Sequence, residues 1–204
     1  MKVYIVGERW NEEGLDDRYL YDYNCITVSK NKAQTEFDVI KFSLIKEIRY
    51  KIIKEYFLND LKLTRNLDVY KDLKNLTIDN CHHYDYSYTY GDGGYPYCIC
   101  LDLEGSFNDE QKIYLVGSCF YDYGMGTFFE FSYACSTREK AEERFEEIKN
   151  ELKKELEEFR DTWEREDLND QIEYIAAIDF DRSLSRYCNE SIRRPMVYVI
   201  DRDE

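Results

Sequence analysis

The residue types best suited to chemistry crowd into one short stretch of this 204-residue chain. His82 and His83, its only histidines, follow Cys81 and precede the alternating run YDYSYTY. A GDGG turn then leads into YPYCICLDLE, which carries Cys98 and Cys100. Pairing Tyr90 with Tyr95 across that turn sets Asp85 opposite Cys100, Ser87 opposite Cys98, His83 opposite Asp102 and Cys81 opposite Glu104. One face of the hairpin then carries tyrosines and aliphatics, and the other carries Cys, His and Asp. Thiolate and imidazole are zinc ligands, so His83, Cys98 and Cys100 are the residues that would hold a metal. The same groups would supply a Cys–His nucleophile pair.

Against that chemistry, C-x-C is a fragment of a metal motif with no second pair of ligands behind it. In the second half of the chain, Val197 and Val199 stand where the first half has Cys98 and Cys100, which favours small buried side chains. There is no serine elbow, P-loop or glycine-rich dinucleotide turn. GDGG sits in a hairpin, where glycines serve the turn. The expectation is therefore no catalytic residue, no metal and no cofactor. The alternative is a small-molecule-binding or metal- or thiol-dependent hydrolytic protein built on the Cys/His face.

Charge points elsewhere. The formal net charge is -15, which repels nucleic acid and anionic membranes and suits a basic protein partner. Residues 139–170 hold fourteen Asp or Glu against seven Lys or Arg. Glu143, Glu147, Glu151, Glu155 and Glu158 recur at the three-to-four spacing of one helical face. A second acidic group, Glu8, Glu12, Glu13, Asp16 and Asp17, falls in the first hairpin loop. Such rows serve as solvated faces, and they can also imitate a phosphate backbone. The loop FYDYGMG adds Tyr121, Tyr123 and Met125 as exposed anchors for a contact. The leading expectation is a non-enzymatic binding protein whose partner is a host protein with a basic surface.

What must position these residues is a repeat. KVYIVG at residues 2–7 returns as KIYLVG at 112–117. Each copy is followed by a turn and an aromatic strand, YLYDYNCITVS and FFEFSYACST. Each then opens a helix with a hydroxyl residue, Lys-Ala, and Phe four residues on: Ser29, Lys32, Ala33 and Phe37, then Thr137, Lys140, Ala141 and Phe145. A hydroxyl oxygen there accepts from a first-turn amide, and Ser136 with Glu139 fits a capping box. Buried stripes are expected at Ala33, Phe37, Ile40, Leu44, Ile48, Ile52 and Tyr56, and at Ala141, Phe145, Ile148, Leu152, Leu156, Phe159 and Trp163. Two closing strands are expected in each half, YDYSYTY with YPYCICLDLE, and IEYIAAIDFD with PMVYVIDRDE.

The fold expected is thus α+β: two β-β-α-β-β units duplicated in tandem, with antiparallel sheets covered by two long helices and a pseudo-two-fold. The first repeat covers 1–104, with an extra short helix near 63–77. The second covers 111–204, and 105–110 link them.

The K-x-Y-x-V strand, followed by the STREKAEERFEEI helix start, resembles small uncharacterised modules encoded by phages and other mobile elements. The likeness covers about a third of the chain. It implies an accessory role such as counter-defence and brings no catalytic residue with it.

No apolar run approaches the length of a membrane span, and the six-residue run at the N-terminus is short for a signal peptide. A cytoplasmic protein is expected, with its seven cysteines reduced and mostly buried.

Overall fold

The structure, a computed structural model, describes residues 1–9, 22–58, 63–81, 95–105, 112–122, 126–162, 167–184 and 192–200. Among these the order of elements is β1 (Lys2–Arg9), β2 (Asp22–Thr27), α1 (Lys30–Leu58), α2 (Leu63–Asn75), β3 (Tyr95–Glu104), β4 (Ile113–Asp122), β5 (Gly126–Cys135), α3 (Arg138–Thr162), α4 (Asp167–Ala177), α5 (Phe180–Ser183) and β6 (Arg194–Ile200). The protein is α+β. The hydrogen-bonded strand order is β2-β1-β3-β5-β4-β6.

Two compact units divide the chain, Tyr4–Cys100 on one side and Met1–Val3 with Leu101–Glu204 on the other. In the first, β1 and β2 pair antiparallel, with Ile5 opposite Ile26 and Val6 opposite Cys25. The ladder shifts between Val6 and Gly7, whose partner is Tyr23. Alternation along β1 puts Val3 and Ile5 on one face and Val6 on the other, and all three meet no solvent, so both faces of the strand are covered there. Helix α1 begins at Ser29, whose Oγ accepts from the Lys32 amide at 3.3 Å. It packs on α2 and β2 and buries Ala33, Phe37, Ile40 and Ile48. Tyr56, expected in the same stripe, is 69% exposed. The stripe turns away from the core beyond Ile48, because from Ile40 on it continues in four-residue steps, each of which overshoots the helical turn. Lys41 Nζ donates to the Leu76 carbonyl at 2.6 Å. That cation lies just past the C-terminus of α2, the negative end of the helix dipole.

In the second unit, β4 lies between β5 and β6 and pairs antiparallel with both. The β4–β5 ladder shifts between Val116 and Gly117. The end of β3 runs parallel to β5, Leu103 opposite Ala134 and Glu104 opposite Cys135, so the expectation of purely antiparallel sheets is corrected. Leu103 N also donates to the Met1 carbonyl at 2.8 Å. Helix α3 packs on β4, β5, β6 and α4. Its core holds Ala141, Phe145, Ile148 and Leu152 against Val116, Cys135, Val197, Ile175 and Ile178. The cap of α3 is Thr137, whose Oγ1 accepts from Lys140 N at 3.3 Å. Ser136, the capping-box candidate, is instead buried with its Oγ unbonded, facing Gly105, where a Cβ would lie 2.3 Å from that oxygen. Gly105 has a φ of 96°, a conformation that glycine adopts without strain.

One strand expectation is overturned. IEYIAAIDFD is not a strand: residues 172–177 belong to α4 and residues 180–181 to α5. Leu168, Ile175 and Ile178 are buried, a helical spacing that a ten-residue window centred on alternating Ile and Tyr conceals. Phe159, expected inside, is 58% exposed. YDYSYTY, the GDGG turn and Trp163 lie outside the described residues.

Candidate functional site

Helix α3 places the acidic row. Its buried stripe fixes the rotation of the helix, so Glu143, Glu151, Glu155 and Glu158 come out exposed and Glu147 half-buried. Four of the five meet a cation. Lys140 Nζ lies 2.7 Å from Glu143, and its hydrogen bond holds that carboxyl below the ordinary carboxylate range. Arg144 pairs with Glu147. Lys154 lies 3.6 Å from Glu158, and Arg193 Nη1 reaches Glu155 at 3.0 Å. The fifth, Glu151, stands near Tyr133. Burial first, then the Glu151 and Glu147 charges, push the Tyr133 phenol up. The row is therefore a lattice of matched charges rather than a bare line of carboxylates.

Two arginines organise that lattice, and neither stands out in the sequence. Arg144 donates to Glu104 at 3.0 Å and sits 4.6 Å from the Tyr133 ring centroid. The hydrogen bonds from Glu104 and Glu147 hold its guanidinium charged, raising its pKa further. Arg193 joins three groups from three elements: Nη1 to Glu155 on α3, Nε to Ser118 Oγ on β4 at 3.0 Å, and Nη2 to Glu130 on β5. Ser118 Oγ and Glu130 Oε2 are themselves 3.1 Å apart and both side chains are buried. The Arg144–Glu104 contact and the three made by Arg193 join residues 38 to 75 positions apart, with no local pattern to announce them.

The thiols are split by burial. Cys98 is buried and Cys100 exposed. Desolvation drives the Cys98 thiol far above its ordinary value, so it stays protonated at neutral pH and is a poor nucleophile. Cys81 Sγ donates to the Cys98 carbonyl at 3.8 Å. Five of the six described cysteines are buried. His83 lies outside the described residues. Among those described, no group of three or more His, Cys, Asp and Glu is placed to hold a metal ion.

Tyr121 belongs to β4 rather than to a loop: it stands opposite Thr127 and is half-buried. Its neighbour Phe120 stacks on Phe128 with centroids 4.9 Å apart. Tyr123 and Met125 fall outside the described residues. No helix among those described is long and apolar enough to cross a membrane.

Comparison with protein-family models, with curated proteins and with solved structures finds no match for this chain.

Proposed function

We propose that this is a non-enzymatic acidic binding protein that docks the exposed face of α3 on a basic surface of a nucleic-acid-handling host protein. In this reading it is a cytoplasmic accessory of a phage or mobile element, acting as an inhibitor in counter-defence. The observation that carries the proposal is the carboxylate row at the surface of α3, in a chain of net charge -15. The cations paired with the row narrow the mechanism. Exposed ion pairs contribute little to stability, so a basic partner can exchange them for its own. The association then gains more in rate and specificity than in raw affinity.

The same proposal includes an internal duplication, and the strand registers support it. Tyr4, Ile5, Val6 and Gly7 face Thr27, Ile26, Cys25 and Tyr23. Tyr114, Leu115, Val116 and Gly117 face Cys135, Ala134, Tyr133 and Phe131. The ladders skip one residue at the same point, Asn24 in one and Ser132 in the other, and the caps Ser29 and Thr137 follow five residues later in both. Among the described residues the first half reads β-β-α-α-β and the second β-β-α-α-α-β, with the short helix α5 as the addition.

Capture from a bacterial lysate at low and high salt tests the function, run in parallel with the variant Glu151→Gln/Glu155→Gln/Glu158→Gln. A nucleic-acid-binding protein enriched at low salt, released at high salt and lost with the variant is the expected result. Partners retained at high salt and by the variant would sink the proposal.

A further inference from the structure

We propose that the outward face of α1 is a docking seam for an acidic amphipathic helix of a partner protein. Helix α1 is apolar on two sides. Its inner side is the buried stripe of Ala33, Phe37, Ile40 and Ile48. Its outer side leaves Val39 (59%), Phe42 (63%), Ile53 (49%), Tyr56 (69%) and Phe57 (77%) in solvent. Val39, Lys46 and Ile53 recur every seven residues, and Phe42, Arg49 and Tyr56 do the same three residues on. That is the a and d pattern of a helix–helix seam. It runs for about 27 Å at the α-helical rise.

The fold does not require this face. Counted from the caps Ser29 and Thr137, the corresponding positions of α3 as far as Glu157 are Glu147, Asn150, Lys154 and Glu157, all polar. A helix of the same length class, capped the same way and packed by the same buried stripe, therefore stands with a charged outer face. Exposed apolar clusters at both ends of one helix face, Val39 with Phe42 and Ile53 with Tyr56 and Phe57, mark a contact.

Charge identifies the occupant. Helix α1 carries seven Lys and Arg against four Asp and Glu, in a chain that is otherwise strongly acidic. The middle layer of the seam is Lys46 and Arg49, both exposed. A second copy fits badly. Parallel pairing sets Lys46 on Lys46, antiparallel pairing sets Lys46 on Arg49, and like charges across a seam are disfavoured. A partner helix with apolar residues at both ends and carboxylates in its middle layer satisfies all three zones.

The test uses the full chain and two synthetic helical peptides of about three heptads. Both have Ile and Leu at the seam ends. One carries Glu at its two central seam positions, and its twin carries Lys. By fluorescence anisotropy the Glu peptide should bind roughly tenfold or more tightly than its twin. The preference should invert in Lys46→Glu/Arg49→Glu, and binding should be lost in Phe42→Ala/Phe57→Ala. All these side chains are exposed, so the variants keep the fold, which circular dichroism checks. Equal binding of the twins, or no binding of either, overturns the proposal. So does self-association in sedimentation velocity that Phe57→Glu abolishes, or seam-dependent binding to phosphatidylserine vesicles.

Discussion

Gly117 lies against the backbone of Glu130: a Cβ built on it would come within 1.8 Å of the Glu130 carbonyl oxygen and 3.0 Å of the Phe131 Cα. This is the point where the β4–β5 ladder shifts register. The extra residue in β5 bends that strand, and the partner chain closes in on the glycine. The obstacle is backbone, so no side-chain rotation relieves it. Gly117→Ala should destabilise the protein by about 2–3 kcal/mol. Urea unfolding, with an alanine at exposed Asn150 as the control, checks this. A Gly117→Ala midpoint equal to the control would show that the bulge relaxes freely.

The glycine also shows what the sequence could and could not announce. VG ends both KVYIVG and KIYLVG, and the ladders shift after both valines, so the recurrence of the motif is legible in the sequence while the register shift is not. The two caps and the first halves of both buried stripes were equally legible, being local patterns of three or four residues. IEYIAAIDFD was misread because a short apolar run satisfies both periods, and packing on α3 decides for helix. The parallel β3–β5 step and the Arg193 contacts join residues far apart in the chain, where no spacing rule reaches. The outer seam of α1 was present as a second heptad pattern, masked by the stronger inner one.

The two helix caps offer a matched pair. Ser29 Oγ and Thr137 Oγ1 each accept from the amide three residues on, at 3.3 Å in both cases. Removing either hydroxyl leaves a first-turn amide to water alone. Ser29→Ala and Thr137→Ala should each cost about 1 kcal/mol. The two losses should add in the double variant, since the residues share no partner. Thermal unfolding of the four proteins checks this, and a loss confined to one cap would mean that the other helix is held by packing alone.

Burial pushes the Cys135 thiol up to about 11, with the Glu104 charge adding to the shift and Arg144 and Lys140 opposing it. The folded state therefore favours the neutral thiol. The stability this contributes is fully present below the ordinary thiol range, and it is lost as pH rises from that range through about 11. The unfolding free energy of the wild type should fall more steeply over that window than that of Cys135→Ala. Tyrosines and lysines titrate there too, but they are common to both proteins and cancel in the difference. Parallel slopes would mean that the thiol titrates alike in both states. At neutral pH a maleimide reagent should label Cys100, the exposed thiol, well before Cys98 or Cys135.

Arg193 reaches Ser118, Glu130 and Glu155 at once. Glu130 is the member that makes this matter, because its side chain is only 7% exposed. A buried carboxylate stripped of its cation keeps the desolvation penalty without the attraction that offsets it. Arg193→Met should therefore destabilise the protein by about 3 kcal/mol. Glu130→Gln in the same chain should recover part of that loss, since the amide no longer needs a counter-charge and can still bond Ser118. Glu155→Gln alone should change stability little, because that carboxylate is half-exposed and water replaces the contact. A double-mutant cycle on Arg193 and Glu130, read by urea unfolding, measures the coupling. Additive losses with no recovery in the double variant would show that Arg193 acts by packing its stem and not by its charge.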